Sequence, residues 1–132
     1  MRYMILVKAT PDTEREIFPP PEQLRELLAD MAAYHEELAR AGVLLDGAGL
    51  RATAHGFRVA IGADGTRSVT DGPFAETKEL LAGYTLIQVR SRAEALEWAR
   101  RYPSPRGRGL PAEVEVRLLF EEEDFPQLDP QP

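Results

Sequence analysis

The sequence predicts an α+β fold: a ferredoxin-like sandwich with an antiparallel sheet, two helices on one face and an added β-hairpin. Three observations carry that expectation. Apolar segments with strand periodicity alternate with two helical ones in the order strand, helix, strand with hairpin, strand, helix, strand. An Asp-Gly pair at 64–65 sits in a hairpin turn between two short strand-like segments. The chain has 132 residues, room for a single core, and its 43% apolar and 29% charged residues are the balance of a globular domain.

Residues 3–7 form a nearly unbroken apolar run that reads as a central strand, and Thr10-Pro11-Asp12 reads as the loop that ends it. The triple proline at 19–21 blocks a helix upstream and opens one at its last member, so residues 22–41 form the longest helix, stopped at Gly42. On a helical wheel Leu24, Leu27, Leu28, Met31 and Leu38 fall within an arc of about 100°, the width of a core-facing stripe. His35 falls inside that arc and Tyr34 on its margin.

Residues 43–46 supply a second strand, and Gly47 and Gly49 break its regularity. Asp64-Gly65 turns residues 57–61 back on 67–70 as a hairpin. Residues 84–89 form the next strand. Ser91 with Glu94 has the spacing of a capping box, which opens a second helix that Pro103 ends, with Ala95, Ala99 and Tyr102 inward and Trp98 on the flank. A last strand follows, in which Val114, Val116, Leu118 and Phe120 alternate with Glu115, Arg117 and Leu119.

Strand one offers Tyr3, Ile5 and Val7 to one side and Met4 and Leu6 to the other, so both sheet faces are apolar. Two helices cover only one face, and a homodimer through the bare sheet face is the expected cover. The domain is expected to span residues 1–120, followed by an acidic, proline-containing tail at 121–132, tied down through Phe125 and Leu128 if it is ordered.

The absence of cysteine excludes a disulfide framework, a thiolate metal site and a thiol nucleophile together. All 16 basic residues lie at or before Arg117, while five of the 22 acids follow residue 120, so the body is almost neutral; that argues against a nucleic-acid partner. No run approaches the roughly 20 apolar residues of a membrane span, and the N-terminus lacks a signal-peptide layout. The expectation is a cytoplasmic protein with no membrane partner. No phosphate loop, dinucleotide fingerprint, nucleophile elbow or His-x-x-x-His pair is present, so no cofactor and no metal are expected.

The most distinctive segment is Thr70-Asp71-Gly72-Pro73-Phe74-Ala75-Glu76-Thr77-Lys78-Glu79. It resembles the signature of the DGPF branch of the YCII-related family. The likeness extends to Arg2-Tyr3-Met4-Ile5-Leu6, Ala41-Gly42, Gly49-Leu50 and the helix at 93–103. The resemblance implies a ferredoxin-like protomer assembling as a dimeric α+β barrel. It also implies a His and Asp pair for acid–base work in some members, and an association of others with extracytoplasmic-function sigma factors. Ala48 stands where many relatives carry a glutamate between two glycines.

Two readings of the function follow. In the first, His35 and Asp71 act as acid and base on a small organic molecule in a pocket between the long helix and the sheet, because an imidazole held among apolar residues near a carboxylate suits proton transfer near neutral pH. Lys78, Glu76 and Asp12 are candidates for binding the substrate. In the second, the chain is a non-catalytic module that binds a small ligand or engages a regulatory protein such as a sigma factor. Each residue also has a plain structural reading: Asp71 as a turn cap, His35 as a satisfied core histidine, His55 as a loop residue, Phe74 as a loop anchor, and Lys78 and the arginines at 100, 101, 106 and 108 as solvated surface.

Overall fold

The computed structural model describes residues 1–128; the last four residues of the expected tail, Asp129 among them, lie outside the described residues. Four strands make the main sheet: β1 (Arg2–Lys8), β2 (Leu44–Gly49), β5 (Leu81–Gln88) and β6 (Val114–Leu118), in the order β2-β5-β1-β6 with every pairing antiparallel. β3 (Phe57–Ile61) and β4 (Arg67–Asp71) form a separate hairpin, turned at Asp64 and Gly65 as Asp-Gly chemistry demands. With that hairpin set aside, the order is the ferredoxin-like one.

The central strands follow the expected alternation. Tyr3, Ile5 and Val7 of β1 and Gly83, Thr85 and Ile87 of β5 are buried on one side, while Met4, Leu6, Tyr84 and Leu86 are half-buried on the other. The buried side carries α2 (Pro21–Arg40) and α3 (Arg92–Arg100). Ile5, Leu38 and Ile87 are sealed completely, and Trp98 and Ala95 join them from α3.

Two expectations are corrected. The barrel is not formed: the sheet is open, with β2 and β6 as edges, whereas closure would pair every strand on both sides. The described residues hold three helices and not two, because α1 (Pro11–Glu14) occupies the segment expected to be a loop. Its cause is local. The Thr10 side chain accepts from Thr13 N, Thr13 Oγ1 accepts from Thr10 N, and Pro11 supplies a preset first helical position.

The helix faces also differ from the wheel. Tyr34, placed on the margin, is buried beside Leu38, and Trp98, placed on the flank of α3, is buried beside Ala95. Tyr34 donates its hydroxyl to Trp98 O at 2.6 Å and meets the rings of Trp98 and Tyr102 edge-on, so it is the pin between α2 and α3. Ser91 caps α3 by accepting from Glu94 N, but the Glu94 carboxylate reaches Arg90 N one residue upstream of the cap. In the tail, Glu121 pairs with Arg2, and Phe125 stacks on Phe120; both side chains stay exposed, as does Leu128.

Candidate functional site

Between the N-terminal half of α2 and the sheet, the chain leaves space unfilled. Leu27, Leu28 and Met31 hang from the helix above a floor made by Gly47, Ala48 and Gly49 of β2 and Ala82 and Gly83 of β5. Gly49 pairs with Gly83, and Gly47 lies on the same face of β2, so the sheet presents no side chain at these positions and space is left beneath the helix. The resulting cleft has two joined lobes of about 590 and 660 Å³ that share Thr10, Thr13, Leu27 and Leu28, a size that suits a small organic molecule.

His35 is part of the lining of the first lobe. Its Nδ1 is 2.8 Å from Met31 O, one helical turn back, and its Nε2 is 2.9 Å from Thr85 Oγ1. A carbonyl only accepts, so Nδ1 carries the ring hydrogen, and the neutral ring presents its lone pair at Nε2. The Thr85 hydroxyl then donates to Nε2. Thr85 is fully buried in β5, and its oxygen is 3.4 Å from the Tyr102 hydroxyl, which also lines the cleft. Burial pushes the Tyr102 and Tyr34 hydroxyls above the ordinary tyrosine range, so both remain protonated donors at neutral pH.

Gly47 makes this arrangement spatially feasible. A Cβ there would stand 3.1 Å from His35 Nε2 and 3.4 Å from the Tyr84 carbonyl, so any side chain would press on the imidazole. Tyr84 in turn donates to Asp46 Oδ2 at 2.9 Å, with its hydroxyl pushed up by that carboxylate.

The other expected site residues are distributed differently. Asp12, in α1, lines the second lobe. Asp71 ends β4 on the hairpin, where it is exposed; the ring nitrogens of His35 bond to Met31 and Thr85 and not to it. Glu76 pairs with Arg58 at 3.4 Å, and the Arg58 guanidinium lies 3.7 Å over the Phe74 ring. Lys78 is exposed and belongs to neither lobe's lining.

The signature segment is instead bound to the turn at Thr53–His55. Phe74 N donates to Thr53 Oγ1, Gly72 N donates to Gly56 O, and a Cβ on Gly72 would fall 1.7 Å from Thr53 O. Only glycine permits that approach.

His55 has a partner that the sequence did not suggest. Its Nε2 is 3.1 Å from Glu16 Oε1, and Arg51 grips the same carboxylate through two nitrogens at 2.6 and 3.0 Å. The Arg51 hydrogen bonds hold the Glu16 carboxyl down to about 2. Glu16 and Arg51 both line the second lobe.

The residues thus define a class: a small α+β protein with a cleft between helix and sheet, lined mainly by apolar residues with Lys8, Arg106 and Glu113 among them, and with one imidazole in the lining of its first lobe. The YCII-related domain family is matched over residues 1–120, and the chain belongs to that family. Among curated proteins, an uncharacterized protein of Rhizobium meliloti (strain 1021) is 39% identical over 79 residues, 60% of this chain and 63% of that one. The match therefore spans just under two thirds of the relative's length. Among solved structures, 5-chloro-2-hydroxyhydroquinone dehydrochlorinase from Burkholderia phenoliruptrix AC1100 aligns over 94% of this chain and 98% of its own, at 15% identity and a TM-score of 0.44. No described helix is long and apolar enough to cross a membrane.

Proposed function

We propose that the chain binds a compact, largely apolar organic molecule in the cleft and performs acid–base chemistry on it through His35. One observation carries this reading. The Nδ1 hydrogen is committed to Met31 O, which leaves Nε2 as the ring's one basic atom; the Thr85 hydroxyl donates to it, so a substrate proton reaches Nε2 through that hydroxyl or in its place. Thr85 orients that nitrogen, and the Tyr102 hydroxyl lies 3.4 Å from the Thr85 oxygen. Asp12 is the acidic residue of the original candidates that borders the cleft; Asp71, Glu76 and Lys78 belong to the hairpin and its exit and take no part in the proposal within one chain.

The test is a metabolite screen by thermal shift on wild type and His35→Ala. Compounds that stabilise the wild type and lose most of that effect in the variant support the reading. Equal responses for every compound would remove His35 from the site.

We infer membership in the DGPF branch from the segment at 70–79, and self-association from the sheet face opposite the buried one, which carries the half-buried Met4, Leu6 and Leu86. Light scattering at two protein concentrations tests the second inference. The alternative function, a module that engages a regulatory protein, is favoured by a different surface. Phe57, Val59 and Ile61 share one face of the hairpin with Val69 and are all exposed. In that case Val59→Glu would abolish partner binding and His35→Ala would leave it intact.

A further inference from the structure

The loop between α3 and β6 crosses back over the cleft and is fastened to the helix opposite. Pro105, Arg106, Pro111, Ala112 and Glu113 line the first lobe, facing Leu27, Leu28 and Met31 of α2. Pro105, Arg106 and Leu110 also border the second lobe. The loop therefore forms part of the wall of both lobes.

The fastening is a single arginine. Arg108 Nε and Nη2 meet Asp30 Oδ2 and Oδ1 at 3.0 and 2.8 Å, and Nη1 lies 3.3 Å from Glu26 Oε2. Asp30 and Glu26 are one turn apart on α2, so both carboxylates face the same guanidinium. The fork matches Asp30 in the two-bond geometry that a lysine could not supply. Its hydrogen bonds also hold the Asp30 carboxyl below the ordinary carboxylate range.

The backbone around Arg108 is built for one conformation. Gly107 and Gly109 on either side of it have φ of +113° and +79°, and a Cβ at either would touch nothing within 4 Å. Glycine is needed there for the backbone angle and not for space. Inside the loop, Ser104 Oγ donates to Leu110 O and Arg106 Nη1 donates to Pro111 O, so the segment is tied together internally. No other ion pair ties it to α2 among the described residues.

We propose that segment 103–113 is a gate over the cleft and that the Arg108 bridge to Asp30 and Glu26 is its latch; this rests on the reading of the cleft as a ligand site. The latch is exposed, with the Arg108 side chain 67% accessible, so it releases readily and yields to salt. Its work is to set how often the gate opens. Breaking it should raise the rates at which a ligand enters and leaves more than it changes the affinity.

The experiment compares wild type, Arg108→Ala, Asp30→Asn, the double variant and Arg108→Lys, with the neutral apolar dye Nile red as the probe. Hydrogen–deuterium exchange reads the loop without any ligand, and stopped-flow fluorescence reads the dye. In Arg108→Ala, exchange over 103–113 should accelerate while β1 and β5 stay unchanged. Both dye rate constants should rise roughly two- to fivefold, the range open to an exposed bidentate pair. Asp30→Asn should match it, the double variant should add little, and Arg108→Lys should fall between.

Loop exchange equal to wild type in Arg108→Ala would overturn the latch. Faster loop exchange with unchanged dye rates would overturn the gate. A wild type that takes up no dye would refute the cleft reading and the gate with it, and is told apart from a failed latch because the exchange measurement needs no ligand.

Discussion

Along the C-terminal half of α2, Tyr34 and Leu38 are sealed against β1, β5 and α3, whereas along its N-terminal half Leu24, Leu27, Leu28 and Met31 roof the cleft, with Leu28 60% exposed. The residue types are the same and the stripe is continuous. What differs is the floor. Under Leu38 the sheet presents large residues such as Ile5 and Ile87, and under Met31 and Leu28 it presents glycine and alanine. A helix laid on a sheet rests on the tallest side chains, so small residues in register on two neighbouring strands convert part of a core into a cavity. His35 sits where the two regimes meet.

The comparison is broken most strongly at Leu38. Leu38→Ala removes a fully buried side chain and should cost about 2–5 kcal/mol, measured by chemical denaturation. Leu28→Ala, on the same stripe, should stay within about 0.5 kcal/mol while weakening dye uptake. Equal costs at the two positions would show that the cleft half is packed after all.

Gly47→Ala sharpens the boundary between the halves. The added Cβ, 3.1 Å from Nε2, should push the imidazole off Thr85 and cost about 1–3 kcal/mol as an overpacked site with one hydroxyl left short of its partner. The check is denaturation together with the His35 ring signals. Tyr34→Phe tests the packed half alone: the loss of the bond to Trp98 O should cost about 1 kcal/mol and leave the cleft untouched.

Much of this architecture was readable locally. Alternation in β1, the Asp-Gly hairpin and the proline-opened long helix depend only on neighbours in sequence. The faces of α2 and α3 were less readable, because a wheel treats a helix as isolated and the tilt over the sheet is a tertiary fact; Tyr34 and Trp98 went to the margin for that reason. His35 was found because it lies on the apolar stripe.

Thr85 was missed because a threonine in a strand between Tyr84 and Leu86 looks ordinary, and Arg108 because its partner Asp30 is 78 residues away. Two signals went unused. Thr10, Pro11 and Thr13 together spell a short helix start, and Gly49 opposite Gly83, with Gly47 on the same face, announces a cavity once the strands pair. The dimeric barrel came from resemblance alone and did not survive the open sheet.

The smallest expected effect concerns the outer end of the cleft. Glu16 is held at about 2 by Arg51 against an ordinary 4.5, so its contribution to the folded state is complete above about 4.5 and drains away as pH falls toward 2. Exchange over residues 11–16 should therefore rise within that window. An Arg51→Ala variant should lose this pH dependence.

Proton transfer at His35 depends on which ring nitrogen carries the hydrogen, and nitrogen-15 correlation spectra of the imidazole read that directly, with His55→Gln used to assign the two rings. At a pH where the ring is neutral, the structure requires the hydrogen on Nδ1, bonded to Met31 O, and an unprotonated Nε2. A neutral ring protonated on Nε2 would contradict that, leaving Nε2 with no lone pair to take a proton.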